Sequence, residues 1–337
     1  WDRQALQAIP GIAFMGCDGE IVQTEPRRLM RPLDNLPWPD RTMENQQAYF
    51  EAWRAKHGET AMSIVTSRGC PYHCSWCSKA VYGDTFRRRP VTDVVDEMEA
   101  LVAQYQPDQF WFADDLFTIN RKWVGRFCEE VKKRGITTPF YCVGRPETLT
   151  EDLVRSLAET GLFRMYVSAE SGSQLVLDKM QKGDTVEEIV RGVRMLQRYG
   201  VEVGLFVMLG YPGETHQEVK ATINMLHDLD ADQVLLSVAH PMKGTRFWEE
   251  VKDRLSAAPV GGWLWGDAAK MGGRQAFRMD YPWVYYELIQ RRVWAELGAK
   301  KDRMCGRRWI ARHKSLKSQG FRLAARGVAS GSDLLWR

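Results

Sequence analysis

Between about residues 60 and 256, short apolar runs alternate with stretches in which apolar residues return every three or four positions. Residues 61–66 read as a strand. The next stretch places Val91, Val94, Val95, Met98, Leu101, Val102 and Tyr105 on one face of a helix with a 3.6-residue period. The alternation continues with a strand at 109–113 and a helix face of Trp123, Val124, Phe127, Cys128 and Val131. A third strand at 139–143 precedes a helix carrying Leu153 and Leu157, and a fourth spans 163–169. Thr185 with Glu188 three residues on forms a capping box that opens the following helix. Residues 201–209 make the fifth strand, Thr215 with Glu218 a second capping box, and 233–238 the sixth strand, with a helix from near Thr245.

Six strand-then-helix units imply a parallel sheet with right-handed crossovers. They are too few to close an eight-stranded barrel, so the expected fold is an open, partial (β/α)6 barrel of the TIM type over residues 59–256. Chemistry in such folds collects at the C-terminal ends of the strands. The chemically suggestive residues fall there: a cysteine loop after the first strand, Asp114 and Asp115 after the second, and Arg145 after the third. Glu170 follows the fourth, residues 210–214 the fifth and His240 the sixth. That coincidence predicts one active site.

The flanks read differently. Residues 1–58 are punctuated by Pro10-Gly11, Asp18-Gly19, Pro32, Pro37 and Pro39, which suits a linker or strap. Residues 257–337 form a C-terminal extension, of which 257–299, with a helix at 283–297, read as a lid or substrate-facing segment. Its Trp263, Trp265, Trp283, Tyr285 and Tyr286 either line a flat apolar pocket or simply pack, and packing is the default. The last 38 residues hold eleven basic side chains against Asp302 and Asp333. Such a tail suits nucleic acid or an acidic lipid surface, but a solvated and partly disordered end is the plainer expectation.

Composition narrows the class. The chain is 44% hydrophobic and 27% charged, with no apolar run of about 20 residues, so no membrane span is expected. The opening at Trp1 carries no signal peptide and suggests a piece of a longer protein. Seven cysteines, three of them within residues 70–77, are odd in number and clustered. A disulfide framework is even and dispersed, so a reducing cytoplasm and a metal site are expected.

The cysteine segment is Cys70-Pro-Tyr-His-Cys74-Ser-Trp-Cys77, with Gly69 ahead of it. Spacings of four and three let three thiolates wrap one centre from a single loop. A [4Fe–4S] cluster takes thiolate ligands, and three of them leave one iron open. Zinc needs a fourth ligand, for which His73 is the candidate, and zinc sets usually arrive as two separated pairs. Cys128 on an apolar helix face and Cys142 inside a strand read as core.

The C-x3-C-x2-C loop, with Trp76 just before the last cysteine, resembles the signature of the radical S-adenosylmethionine (SAM) superfamily. The resemblance covers about residues 60–256. It implies that Cys70, Cys74 and Cys77 hold a [4Fe–4S] cluster whose open iron is chelated by SAM. Reductive cleavage then gives a 5′-deoxyadenosyl radical that abstracts hydrogen from a small-molecule substrate. It implies an electron donor such as flavodoxin or ferredoxin. Carried over residue by residue, it assigns Asp114 or Asp115 to the methionine amino group and Glu170 to the ribose or methionyl part. It sets Gly210, Gly213 and Glu214 on the adenine side, and Arg145 against the SAM carboxylate. The bland readings are a turn cap for Asp114-Asp115 and a helix-dipole acid for Glu214. The usual small-small-acidic tripeptide reads Ala113-Asp114-Asp115 here, which leaves the working acid open.

Residues 19–41, with Arg31-Pro32-Leu33-Asp34-Asn35-Leu36-Pro37-Trp38-Pro39, resemble the strap that follows a cobalamin-binding domain in the B12-dependent branch. So do Glu170-Ser171-Gly172-Ser173 and Pro241-Met242-Lys243-Gly244-Thr245. That branch includes radical methylases of unactivated carbon and the anaerobic ring cyclase of chlorophyll synthesis. Cobalamin is therefore expected in the full-length protein, with its domain before Trp1. Two rival readings are a radical SAM tRNA-modifying enzyme and a non-enzymatic Fe–S or zinc module. The methylthiotransferase form of the first needs a second N-terminal cysteine trio, where only Cys17 stands. A nucleic-acid partner is thus not expected.

Overall fold

The computed structural model describes residues 3–33, 36–42, 45–79, 82–255, 277–304 and 308–330. Six strands form one sheet: β1 (Ala61–Ile64), β2 (Gln109–Phe112), β3 (Phe140–Gly144), β4 (Leu162–Glu170), β5 (Glu202–Leu209) and β6 (Gln233–Val238). Each lies parallel to its neighbours, and their spatial order is their chain order. Among the described residues β1 and β6 are the free edges, so the sheet is the open six-stranded partial barrel that the sequence pattern predicts.

The connecting helices are α1 (Val91–Tyr105), α2 (Arg121–Lys133), α3 (Glu151–Glu159), α4 (Gln174–Lys179), α5 (Val186–Arg198), α6 (His216–Leu229) and α7 (Arg246–Val251). Both capping boxes are formed, with Thr185 and Glu188 opening α5 and Thr215 and Glu218 opening α6. Strand residues Val203, Leu205, Val207 and Leu209 are buried beneath the apolar faces of these helices. An aromatic block anchors the β2–β3 side. Phe112 meets Phe127 edge-on at 5.4 Å and Phe140 at 5.2 Å, arrangements that favour the ring quadrupoles. Cys128 and Cys142 are both buried core residues, as their positions in the pattern suggested.

The flanks depart from the sequence expectation. Residues 1–58 are not wholly irregular: Ala13–Met15 pairs antiparallel with Ile21–Gln23, and Gln46–His57 is a 12-residue helix. Asn45 caps that helix, and Gly58 ends it at φ 84. Phe50 is its one buried residue, so no apolar stripe betrays it. The C-terminal helix α8 runs from Trp283 to Met304, and the basic tail continues as a 23-residue helix, α9 (Arg308–Ser330). The expectation of a solvated, disordered end is corrected here. Glu296 of α8 accepts from Ser318 at 2.5 Å and Arg322 at 3.2 Å, which docks α9. Trp263 and Trp265 lie outside the described residues, while Tyr285 and Tyr286 are fully buried. No described helix is long and apolar enough to cross a membrane.

Candidate active site

The cysteine loop leaves β1 through Gly69, whose φ of +85 favours glycine. A Cβ there would lie 1.8 Å from the Thr85 carbonyl oxygen, so no other residue fits without moving backbone. The loop is then pinned on three sides. Ser75 donates from its N–H to the Met180 carbonyl at 3.0 Å, its hydroxyl meets the Tyr211 hydroxyl at 2.7 Å, and its carbonyl accepts from Phe247 at 2.9 Å. These partners belong to the segments after β4, after β5 and on α7. Trp76 is half-buried against the core.

Cys70, Cys74 and Cys77 are free thiols on this loop, Cys77 the most exposed. Burial raises all three, and repulsion from neighbouring thiols adds to it for Cys70 and Cys77. Cys77 is pushed up to about 11, by burial first and then by Cys74 and Cys70. Crowded thiols of this kind need positive charge among them to ionise. One source is Arg145, whose Nη1 donates to Cys74 Sγ at 3.6 Å. Among the described residues no three His, Cys, Asp or Glu side chains converge on a single metal ion. A zinc ion needs that convergence, whereas an iron–sulfur cube takes one thiolate at each of several corners. Three thiols on one loop are the type of donor set that such a cube takes. His73 instead faces Lys79 at 3.3 Å and Asp84 at 4.0 Å.

The two acids after β2 separate cleanly. Asp114 is buried and accepts from the N–H groups of Thr66 at 2.7 Å and Ser67 at 2.9 Å, and from the Thr66 hydroxyl at 2.5 Å. It also pairs with Arg88 at 3.1 Å. Its oxygens are engaged in fastening the root of the cysteine loop to β2. Asp115 is exposed at the mouth, and its carboxyl is raised by surrounding protein and then by Asp114.

Arg145 is buried, and its donors are committed. They reach Glu147, the Lys182 carbonyl at 2.6 Å and Cys74 Sγ, while its guanidinium lies 3.8 Å from the Tyr72 ring centre. The resemblance sets it against the SAM carboxylate; within the protein its Nη1 faces the Cys74 sulfur.

Glu170 ends β4 at a register slip, with φ +61, a strained conformation for a side chain of its size. Its carboxylate is buried, and no protein donor among the described residues reaches it. Burial pushes it up to about 7, against the pull of Lys182 and Arg145. Lys182 and Asp184 form a buried ion pair beside it. One Asp184 oxygen, Oδ1, has no partner among the described residues. Sequence reasoning missed this pair: Lys182-Gly183-Asp184 sits in a turn, where no periodicity exists, and its one signal is its place just before a capping box.

After β5, Gly210 has φ +80 and a Cβ there would fall 2.1 Å from Met279 and 3.1 Å from Tyr286. Its N–H donates to Glu214, which is fully buried and pushed up to about 8 by burial. The other Glu214 oxygen, Oε1, and the Tyr286 hydroxyl have no partners among the described residues. Gly213 donates to Asp280 at 2.5 Å. The C-terminal extension thus presses directly on the β5 loop. His240, after β6, is half-buried, and burial lowers its imidazole.

Comparison with known proteins accords with this geometry. Residues 64–226 match the profile of the radical SAM superfamily. An uncharacterised methyltransferase of Pyrococcus horikoshii is 30% identical over 246 residues, 72% of this chain and 52% of that protein. The anaerobic magnesium-protoporphyrin IX monomethyl ester cyclase of Rubrivivax gelatinosus is 28% identical over 73% of this chain and 44% of its own length. The solved structure of OxsB, a cobalamin-dependent SAM radical enzyme with aqua-cobalamin bound, superposes with a TM-score of 0.69 at 14% identity. That alignment covers 94% of this chain and 53% of OxsB. TsrM from Kitasatospora setae, solved with cobalamin and a [4Fe-4S] cluster, gives 0.62 at 21% identity over 74% of this chain and 51% of its own. These two likenesses establish the fold. The chain spans about half the length of the proteins it matches.

Proposed function

We infer that this chain, which belongs to the radical SAM superfamily, binds a [4Fe–4S] cluster through Cys70, Cys74 and Cys77 and cleaves SAM reductively. The observation that carries the reading is a set of three free thiols on one Gly69-turned loop, at the C-terminal end of an open six-stranded parallel sheet. When bound, the cluster and SAM supply one-electron cleavage of the C5′–S bond, giving methionine and a 5′-deoxyadenosyl radical that takes a hydrogen atom from substrate.

The chain's own side chains hold and orient these groups. Arg145 stabilises the Cys74 sulfur as a thiolate through its hydrogen bond. Asp114 fixes the root of the loop, so we assign contact with the SAM amino group to Asp115, the acid that faces the mouth. Glu170, buried and without a protein donor, is assigned to the SAM hydroxyls, which it accepts best once ionised above about pH 7. Lys182, paired with Asp184, places a buried positive charge that acts on Glu170. The loop of Gly210, Gly213 and Glu214, backed by Tyr286, forms the adenine side.

The proposed setting is the B12-dependent branch, in the cytoplasm. There, residues 1–58 serve as the strap from a cobalamin-binding domain, and the reaction is methylation or cyclisation of a small organic substrate. The relatedness to the magnesium-protoporphyrin cyclase and the fold shared with OxsB support this. A flavodoxin or ferredoxin supplies the electron. The direct test is anaerobic reconstitution with iron and sulfide, then dithionite and SAM. 5′-Deoxyadenosine is expected from the wild type and none from Cys74→Ala. Product from both, or from neither despite a full iron load, contradicts the reading.

A further inference from the structure

A cleft of about 590 Å³ opens beside the cysteine loop, between Tyr72 and Phe86 on one wall and residues 119–122 and 147–148 on the other. It lies at the C-terminal ends of β1, β2 and β3, and its volume is that of a small-molecule site. Tyr72, Phe86 and, from the facing wall, Ile119 give the cleft a half-buried apolar lining. The wall that holds Arg121 and Lys122 also carries positive charge. Arg121 donates to the carbonyls of Thr148 at 3.0 Å and Glu147 at 3.2 Å, partners that hold the guanidinium in place without cancelling its charge. Lys122 is exposed and forms no ion pair among the described residues. The one acid among the lining residues, Glu147, pairs with Arg145 and also acts on the Tyr72 hydroxyl. The cleft therefore shows two positive charges, Arg121 and Lys122, without an ion-pair partner among the described residues, beside aromatic and aliphatic side chains. Tyr72 connects it to the chemistry: its ring lies 3.8 Å from the Arg145 guanidinium, which in turn donates to Cys74 Sγ.

Resting on the reading that the cysteine loop holds the reactive centre, we propose that this cleft binds the substrate, and that the substrate carries an acidic group on a flat apolar body. The acidic group, carboxylate or phosphate, meets Lys122 and Arg121. The apolar body lies on Tyr72, Phe86 and Ile119. Neither contact requires a ligand of this chain to move.

Two probes with the same ring and opposite charge test this: indole-3-acetate and tryptamine, titrated calorimetrically into the anaerobically reconstituted chain. Indole-3-acetate is expected to bind about tenfold or more tightly than tryptamine, with a preference that shrinks as salt rises. Lys122→Glu, in a first helical turn where an acid is well tolerated, is expected to weaken indole-3-acetate about tenfold and remove the preference. Lys133→Glu, at the far end of α2, leaves both affinities unchanged. Ile119→Trp, which fills the cleft, weakens both probes. Benzoate and phenyl phosphate as competitors show which acidic group is preferred. Equal affinity for the two indoles, or a preference that survives Lys122→Glu, overturns the proposal. Cleavage of SAM by the same wild-type preparation is scored separately. A chain that cleaves SAM without the anion preference removes this inference alone, and a chain with the preference but no cleavage removes the reading of the cysteine loop.

Discussion

Two adjacent acids, Asp114 and Asp115, are assigned opposite duties, and replacing each with asparagine separates them. Asp114 accepts from two backbone N–H groups and a hydroxyl and pairs with Arg88, whose side chain is 5% exposed. Burial already lowers the Arg88 guanidinium to about 10, and Asp114 is the partner that keeps it charged. In Asp114→Asn a buried cation loses its counter-charge and an amide nitrogen is turned toward donors. Breaking a buried pair from one side costs about 3–5 kcal/mol. Set against a typical domain stability of about 5–15 kcal/mol, that is a large share. Asp115 is exposed, and the Gly69 N–H is the backbone donor that acts on its carboxyl. Its replacement should cost no more than about 1 kcal/mol. Urea unfolding of the metal-free chain, followed by circular dichroism, reads both. The midpoint of Asp114→Asn should fall by roughly 1 M or more, with the slope unchanged. Asp115→Asn should unfold with the wild type yet bind SAM at least about tenfold more weakly after reconstitution. A destabilised Asp115→Asn, or an Asp114→Asn within about 1 kcal/mol of wild type, refutes the division of labour.

Other consequences follow from single contacts. Glu214 is pushed from an ordinary 4.5 to about 8 in the folded chain, so the native state keeps a proton that the unfolded state has released. Its contribution to stability is therefore present below about pH 4.5 and lost as pH rises through about 8. Stability measured from pH 5 to 9 should decline less steeply in Glu214→Gln than in the wild type, and parallel curves contradict this. Gly69→Ala drives a Cβ to within 1.8 Å of the Thr85 carbonyl; iron per chain after reconstitution should fall sharply while far-UV circular dichroism barely changes. Glu296 accepts from His227 at 2.7 Å, Arg292 at 3.0 Å, Ser318 and Arg322. Glu296→Ala should release α9, making cleavage within 308–330 by trypsin about tenfold faster under native conditions; an unchanged rate shows that α9 is held by other contacts.

The barrel was legible because its signal is periodic. Strand limits inferred from apolar runs agree with the structure to within a residue or two, and the β6 limits coincide. The cysteine loop was legible because its spacing is a local property. Features that depend on side-chain direction were not. Asp114 and Asp115 are neighbours at one strand end, and only the pleat decides which turns toward Thr66 and Arg88 and which toward the mouth. Arg145 was placed at the right strand end, but its protein contacts were not legible, since those with Cys74 and the Lys182 carbonyl join segments 71 and 37 residues apart. Helix α9 escaped for another reason. Its buried seam is Ala311, Ser318 and Ala325, seven residues apart, small side chains that leave no apolar stripe beneath so many basic residues. Charge dominated that stretch of sequence, whereas close helix packing decided its structure.

The central claim is that three thiolates leave one iron free to bind SAM, and electron paramagnetic resonance of the dithionite-reduced, reconstituted chain tests it most directly. The account predicts a [4Fe–4S]+ signal whose g-values shift when SAM is added, from wild type but not from Cys70→Ala, Cys74→Ala or Cys77→Ala. A cluster signal that SAM leaves untouched, or one that persists after any of the three cysteines is removed, contradicts it.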